Sequence, residues 1–274
     1  MKLFNERLDK AFKAKSALKV ITGIHNTTID QVVKIAKAAE LSNATYLDVA
    51  SNVQLVKILK SFSSLPICIS SIDPIDIYNG LSSGADLVEI GNYDFFYNQG
   101  IYLSKEQIFE LSKEIKSLAS NTDICVTIPY YLDLKDQISL AENLKLLGVN
   151  IIQTEGISKV QLAKLNINLK KFASSFYNLH NSLIPSIFST YIISQCVNLP
   201  VITSSGCKNI LGSIPKYYGA SGIGIGSSVE HQGDILSMSK YINQVYKSLS
   251  SLSFYNIPVN IEDDLRELLM FYQE

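Results

Sequence analysis

The chain has 274 residues, of which 47% are hydrophobic and 18% are charged, and this is the composition of a globular protein. Its 24 basic and 25 acidic side chains leave a net charge of -1, so we predict no nucleic-acid or anionic-membrane partner. Four cysteines without close pairing do not form a disulfide framework, which excludes the class of small disulfide-stabilised secreted domains.

Two segments bear on whether the chain enters a membrane or is exported. The run 172–207 contains no Lys, Arg, Asp or Glu, but prolines and polar side chains interrupt it, so it does not predict a membrane span. The N-terminal segment lacks the long apolar stretch of a secretory signal. Phe4, Leu8 and Phe12 recur instead at helical spacing and predict a leading helix within residues 1–16.

Residues 18–249 alternate between short apolar runs and helical patterns. The runs are rich in β-branched side chains and predict strands. They are LKVITGI (18–24), ATYLDVA (44–50), LPICISS (65–71), ADLVEIGN (85–92), DICVTIPY (123–130), VNIIQTEG (149–156), LPVITSSG (199–206) and ASGIGIGS (220–227). The segments between them have apolar residues at intervals of three and four, with charged residues on the other face, and predict helices.

The number of these units decides between two parallel architectures. Eight strand–helix units in about 250 residues match an α/β fold of the (β/α)8 TIM barrel type. An open doubly wound sheet is the alternative, but its glycine fingerprint follows the first strand, whereas the glycine-rich segments here follow the last two. We therefore predict a single domain over residues 1–274, with the barrel at 18–249 and a C-terminal helix at 258–274.

The loop after the fourth predicted strand, 92–104, is rich in aromatic residues. These side chains indicate either a lid or stacking surface, or a surface loop packed on itself. Loops at this end of the strands lie on the face where such barrels place their sites.

Small residues at the ends of the seventh and eighth strands predict a phosphate site. Backbone N–H groups can approach an anion there, a helix N-terminus adds partial positive charge, and TIM barrels frequently hold a ligand phosphate at this place. The candidate binding residues are Ser205, Gly206, Gly226, Ser227 and Ser228. The alternative is that Gly206 and Gly226 only form turns.

Charged residues fall where the barrel interior is expected. If the apolar side chains of each strand face the helices, Lys19, Asp48 and Glu89 converge on the barrel axis. Buried charges are costly unless they are paired, so a lysine and two carboxylates form a mutually compensating set. These residues are catalytic candidates, the lysine as a base or imine-forming nucleophile and the carboxylates as general acids or bases. The alternative is a structural ion cluster at the closed end of the barrel.

The sixth strand adds two candidates at its C-terminal end. Gln153 is a candidate for ligand binding and Glu155 is a further catalytic candidate, although the sequence leaves the direction of their side chains ambiguous. His180 and His231 have no partners at the spacing of metal ligands, and we predict no structural metal.

Several segments together resemble a known family. They are ATYLDVA, PICISSIDP, GADLVEIGNYDFFYNQG, VTIPYYLDLKDQISLAENL, NIIQTEG and GASGIGIGSSV. They are similar to segments of the family called hypothetical chloroplast open reading frame 23, which occurs in plastid genomes of red algae and relatives and in cyanobacteria. The resemblance extends from Lys2 to about Tyr246. It implies a (β/α)8 barrel in the plastid stroma, or in the cytoplasm of a cyanobacterium, and it assigns no catalytic residues.

Three functions fit these features. The leading hypothesis is an enzyme that binds a small phosphorylated metabolite at strands seven and eight and acts on it as a lyase, isomerase or synthase. The second is an oxidoreductase in which the same residues hold the phosphate of FMN. Its support is a loose similarity of IIQTEG to nitronate-oxidising flavin barrels, whose His-containing glycine motif is absent after Gly156. The third is a non-catalytic binding or regulatory barrel.

An uncharged helix predicted between Pro185 and Val197 indicates self-association. Its apolar side chains lie on more than one face, so it is either covered within the chain, for example by the C-terminal helix, or exposes a patch that a second subunit covers. The sequence favours a homodimer.

Overall fold

Eight parallel strands close into a barrel in chain order, with β8 paired to β1. The computed structural model describes residues 2–23, 28–91, 93–97, 99–156, 183–204 and 213–250. The strands are β1 Ala17–Ile21, β2 Tyr46–Ala50, β3 Ile67–Ser70, β4 Leu87–Ile90, β5 Asp123–Ile128, β6 Ile151–Thr154, β7 Val201–Thr203 and β8 Gly222–Ile225. Each strand overlaps one predicted apolar run and is shorter than it. The predicted (β/α)8 TIM barrel is confirmed.

Helices surround the barrel and alternate with its strands. In the described residues they are α1 Glu6–Lys13, α2 Ile29–Glu40, α3 Val53–Lys60, α4 Pro74–Ser82, α5 Asp94–Tyr97, α6 Lys105–Leu118, α7 Leu134–Leu147, α8 Leu183–Cys196, α9 Ser213–Tyr217, α10 Ser227–Glu230 and α11 Ile235–Ser250. None of these helices is both long and apolar enough to cross a membrane. The C-terminal helix predicted at 258–274 lies outside the described residues.

The leading helix α1 closes the N-terminal end of the barrel. The side chain of Asn5 caps it by accepting a hydrogen bond from the N–H of Leu8 at 3.2 Å. The carboxylate of Asp123, at the start of β5, accepts hydrogen bonds from the N–H groups of Phe4 and Asn5 at 3.1 and 3.0 Å. Leu8 and Phe12 are buried against the strands. The predicted leading helix is therefore confirmed, and it is fastened to the barrel.

The inward-facing side chains divide the barrel interior into two levels. An apolar floor is formed by Leu3, Leu8 and Phe12 with the strand residues Ala17, Tyr46, Cys68, Leu87, Cys125, Ile151 and Ile202. Two positions further along the same strands lie the buried polar side chains Lys19, Asp48, Ser70, Glu89, Thr127, Gln153 and Ser204. Because all eight strands are parallel, the polar level lies nearer their C-terminal ends.

The uncharged helix α8 is covered within the single chain. Its residues Ile187, Phe188, Ile192 and Ile193 are buried, and among its described side chains only Gln195 is exposed. The helix contacts α7, β6 and β7. This corresponds to the intrachain alternative, and the homodimer stays a prediction from the sequence.

The backbone of Lys15 gives a prediction about stability. Its φ of 49° lies in the left-handed region, where it ends α1 with hydrogen bonds from Lys15 N–H to the carbonyl of Phe12 and from Ser16 N–H to that of Ala11, both at 3.0 Å. Glycine adopts this conformation without the steric cost of a Cβ atom. We expect Lys15→Gly to raise the free energy of unfolding in urea by about 1 kcal/mol. Lys15→Ala removes the charge but keeps the strain, and equal stability of these two variants would contradict the expectation.

Candidate functional site

A lysine and two carboxylates meet inside the barrel. The Nζ atom of Lys19 lies 2.7 Å from Oδ2 of Asp48, donates to Oε2 of Glu89, and lies 2.9 Å from Oε1 of Gln153. The side chains of Lys19, Asp48 and Glu89 are only 1–2% exposed. An ammonium group has three N–H donors, so each one has an acceptor. We call Lys19, Asp48, Glu89 and Gln153 the ionic cluster.

The carboxylates of the ionic cluster have further hydrogen bonds from neutral groups. Oδ1 of Asp48 accepts from the hydroxyl of Ser70. Oε1 of Glu89 accepts from the hydroxyl of Thr127 at 3.0 Å and from Nε2 of Gln153 at 2.8 Å. This satisfies the requirement that buried charges be paired and hydrogen-bonded.

The ionic cluster does not lie at the closed end of the barrel, which is where the alternative raised by the sequence would put it. Tyr46 and Leu87 belong to the apolar floor, and Asp48 and Glu89 follow them by two residues on β2 and β4. The closed end is therefore apolar and sealed by α1, and the charges lie one level further toward the strand C-termini. TIM-barrel enzymes place their active sites on that side.

Burial and mutual attraction set the protonation of the ionic cluster. Burial by itself lowers the pKa of Lys19, but the attraction of Asp48 and Glu89 outweighs it and raises this pKa well above its ordinary value. Burial raises the pKa of Asp48 to about 6, although the nearby Lys19 opposes the shift. Because imine formation requires a neutral amine, the arrangement favours proton transfer over an imine at Lys19.

The same place holds a set of atoms with the composition of a cation site. The ligand atoms of Asp48, Cys68 and Glu89 lie within 4.8 Å of one another. The ammonium of Lys19 already bonds both carboxylates, and burial raises the pKa of the Cys68 thiol well above its ordinary value. A metal ion would have to displace the ammonium, so the positive charge that balances this cluster is the lysine.

The hydroxyl of Tyr46, in the floor below the ionic cluster, gives a second prediction. It is fully buried and has no hydrogen-bond partner among the described residues. An unsatisfied buried hydroxyl costs about 1–3 kcal/mol of desolvation. We therefore expect Tyr46→Phe to be as stable as the wild type or up to about 1 kcal/mol more stable in urea denaturation.

Tyr93→Phe is the matched control. The Tyr93 hydroxyl donates to the carbonyl of Thr127 at 3.2 Å, so its loss should destabilise the protein. A destabilised Tyr46→Phe would mean that the Tyr46 hydroxyl has a partner.

Glu155 lies at the C-terminal end of β6, next to a cluster of tyrosines. Its Oε2 accepts a hydrogen bond from the hydroxyl of Tyr97 at 2.8 Å and from the N–H of Tyr130 at 3.4 Å. The ring of Tyr97 stacks on Tyr102 with centroids 5.5 Å apart and meets Tyr131 edge-on at 5.4 Å. Burial, with Glu155 nearby, raises the pKa of Tyr97. The aromatic loop after β4 is thus packed on itself and fastened to β6, which is the second of the two alternatives for it.

The described part of the predicted phosphate site lies between β8 and α10. Gly226 is the N-cap of α10, and its carbonyl accepts from the N–H of Val229 at 2.8 Å. Ser227 is exposed and Ser228 is half-buried. A Cβ atom on Gly226 would lie 3.3 Å from the carbonyl oxygen of Ile21. The other two candidates, Ser205 and Gly206, lie outside the described residues.

Some side chains of the site were not predicted from the sequence. The structure brings Gln153, a predicted ligand-binding residue, into the ionic cluster, and it adds Ser70 and Thr127 as donors to the carboxylates. The alternation of β5 already places Thr127 inward, and the direction of Ser70 could have been found because it stands two residues after the floor residue Cys68. Gly91 received no role from the sequence: a Cβ atom there would lie 2.9 Å from Oε1 of Glu89.

Three solved structures with a similar fold have names that include a phosphorylated compound. A 3-hexulose-6-phosphate synthase has a TM-score of 0.58 at 12% identity, covering 85% of this chain and 99% of that one. The deoxyribose phosphate aldolase of Aeropyrum pernix has a TM-score of 0.59 at 13% identity, covering 89% and 95%. The (S)-3-O-geranylgeranylglyceryl phosphate synthase of Thermoplasma acidophilum, solved with sn-glycerol-1-phosphate, has a TM-score of 0.58 at 14% identity, covering 91% and 99%. At these identities the likeness concerns the fold.

Comparison of whole sequences gives the family. The family described as Protein of unknown function (DUF561) matches residues 3–255. The "Uncharacterized protein ycf23" of Antithamnion sp. is 47% identical over 261 residues, which cover 95% of this chain and 94% of that protein. The protein of the same name from Porphyra purpurea is 37% identical over 273 residues, covering 98% and 97%. The chain therefore belongs to the DUF561 family, as the resemblance to chloroplast open reading frame 23 implied.

Proposed function

We propose that the protein is an enzyme that binds a small phosphorylated metabolite and acts on it by proton transfer, as a lyase, isomerase or synthase. The observation that carries the proposal is the position of the ionic cluster. Ionisable groups that only stabilised the barrel would serve as well in the sealed floor. The ionic cluster lies one level nearer the strand C-termini, and TIM barrels carry out their chemistry at that end.

Each charged member of the ionic cluster has a distinct role in this proposal. Asp48 is the general acid or base, because it is the carboxylate whose pKa burial raises to about 6, within reach of neutral pH. Lys19 is a fixed cation that keeps negative charge tolerable inside the barrel, and Glu89 is its counter-ion. Glu155, held by Tyr97 nearer the strand ends, is a second acid–base group.

The phosphate group of the metabolite is proposed to bind at the ends of β7 and β8. Gly226 is the N-cap of α10, and Ser227 and Ser228 are its first residues. The first N–H groups of a helix lack partners within the helix. Ser205 and Gly206 would complete the site from the segment after β7. The phosphorylated compounds in the names of similar folds support this class of ligand.

A thermal-shift screen tests the proposal with inorganic phosphate, a panel of phosphorylated metabolites, and FMN. A ligand that binds only the folded state raises its apparent stability by mass action. We expect at least one phosphorylated metabolite to raise the melting temperature, and Ser227→Glu to abolish this rise by placing a negative charge at the site. Ser120→Glu, a charge added at an exposed position after α6, is the matched control and should leave the rise intact.

Other outcomes of the screen would replace the proposal. A rise with FMN alone, together with a yellow protein, would favour the flavin oxidoreductase. A metabolite that binds but is not converted by the wild type, and binds equally to Asp48→Asn, would favour a non-catalytic barrel. No rise with any phosphorylated compound would refute the phosphate site.

The setting of this activity is also proposed. The relatives are named ycf23, after a chloroplast reading frame. This name supports a location in the plastid stroma, or in the cytoplasm of a cyanobacterium. A homodimer is the proposed assembly, and sedimentation equilibrium at micromolar concentration would refute it by showing a monomer.

A further inference from the structure

The side-chain amide of Gln153 contacts both signs of charge in the ionic cluster. Its Oε1 accepts from Nζ of Lys19 at 2.9 Å, and its Nε2 donates to Oε1 of Glu89 at 2.8 Å and to the hydroxyl oxygen of Thr127 at 3.0 Å. The amide oxygen must face the cation and the amide nitrogen must face the carboxylate. In the reverse orientation the N–H groups would point at the ammonium and the oxygen at the carboxylate. Gln153 is 5% exposed, so its hydrogen bonds are made inside the protein.

The two carboxylates differ in the number of donors that face them. Glu89 accepts from Lys19, Thr127, Gln153 and the thiol of Cys125. Asp48 accepts from Lys19 and Ser70. Hydrogen bonds to the ionised form of a carboxylate favour that form. One cation faces two carboxylates, so a proton that enters the cluster goes to the carboxylate with fewer donors. That carboxylate is Asp48.

We infer that Gln153 is a positioning residue, which keeps Glu89 ionised and Lys19 fixed so that Asp48 alone exchanges the proton of the ionic cluster. The catalytic meaning of this inference rests on the proposed function, but the protonation pattern itself requires no ligand. It replaces the prediction from the sequence that Gln153 binds the metabolite.

Other titratable groups around Asp48 do not compete for this proton. The titratable groups around the ionic cluster are Lys19, Tyr46, Cys68, Glu89 and Cys125, and the thiol of Cys125 donates to Glu89. Burial raises the pKa of the phenol and of both thiols well above their ordinary values, so these groups stay protonated and neutral. Burial raises the pKa of Asp48 to about 6, in agreement with the donor count.

Infrared difference titration of the ligand-free full chain tests the inference, because it detects protonated carboxyl groups directly. As the pH falls from about 8 to about 5, we expect one buried carboxyl to become protonated in the wild type, and Asp48→Asn to abolish this signal. In Gln153→Met, which keeps the volume of the side chain but removes its donor, we expect the proton to be divided between Asp48 and Glu89, so that a second carboxyl signal appears in the same range. Adding Glu89→Gln to Gln153→Met should remove this second signal.

Ser70→Ala is the matched control, because it removes a donor from the other carboxylate. It should move the single existing titration to higher pH without adding a second one. If Gln153→Met does not fold, Gln153→Leu provides the same test, since it also removes the donor to Glu89 and adds no titratable group. Persistence of the wild-type signal in Asp48→Asn, or a single unchanged titration in the Gln153 variants, would overturn the inference. Failure of every phosphorylated compound to bind would instead refute the proposed function and leave this result untouched.

Discussion

Replacing Lys19 by methionine is expected to lower the free energy of unfolding by about 3–5 kcal/mol at neutral pH. Methionine is similar in size to the methylene stem of Lys19, so the loss of stability comes from removal of the charge. Without the ammonium, the carboxylates of Asp48 and Glu89 remain buried with only neutral donors. Urea denaturation measures the effect, and acidification should reduce it because protonation neutralises the carboxylates.

A compensated variant separates this charge effect from loss of packing. Lys19→Met combined with Asp48→Asn and Glu89→Gln removes all three charges while keeping side chains of similar size. Buried ion pairs are frequently replaceable by neutral groups at little cost, so we expect this triple variant to recover most of the lost stability. If the triple variant is as unstable as Lys19→Met alone, the role of Lys19 is in packing. If it is stable but converts no metabolite that the wild type converts, the charges serve the reaction.

Much of the fold could be predicted from the sequence because burial on both faces gives parallel strands a recognisable composition. In ATYLDVA and ADLVEIGN, apolar residues toward the helices alternate with Asp48 or Glu89 toward the barrel axis. The sequence therefore predicts both the strand and the side of the sheet on which each side chain lies. The meeting of these two carboxylates with Lys19 followed from closure of the barrel. The strand ends were less predictable, since each strand is shorter than the apolar run that predicts it.

Other parts of the site depend on contacts that strand periodicity does not encode. In IIQTEG both parities contain polar residues: Thr154 faces Thr190 of α8 at 2.7 Å, whereas Gln153 faces the axis. The role of Gln153 depends on its contacts with Glu89 of β4 and Thr127 of β5, which its own strand sequence does not reveal. The bond between Tyr97 and Glu155 joins residues 58 positions apart through a loop, and nothing in its local sequence indicates that pairing.

Stability should increase on acidification through the titration of Asp48. Burial raises the pKa of this carboxyl from 3.8 to about 6, so the folded state binds a proton more tightly than the unfolded state. Above about pH 6 both states are ionised and the folded state bears the full desolvation penalty. As the pH falls from about 7 to about 4, protonation of the folded state relieves this penalty and adds up to about 3 kcal/mol to the free energy of unfolding.

The effect must be read as a difference between variants, because other carboxylates have the opposite sign. Burial alone would raise the pKa of Glu40, but hydrogen bonds from Ser64 and Ser63 outweigh it and lower that pKa, so its contribution is present at neutral pH and lost on acidification. Urea denaturation at a series of pH values should therefore show that Asp48→Asn removes a gain in stability toward low pH, whereas Glu40→Gln removes a loss. Parallel pH profiles for the wild type and Asp48→Asn would mean that Asp48 does not carry the proton.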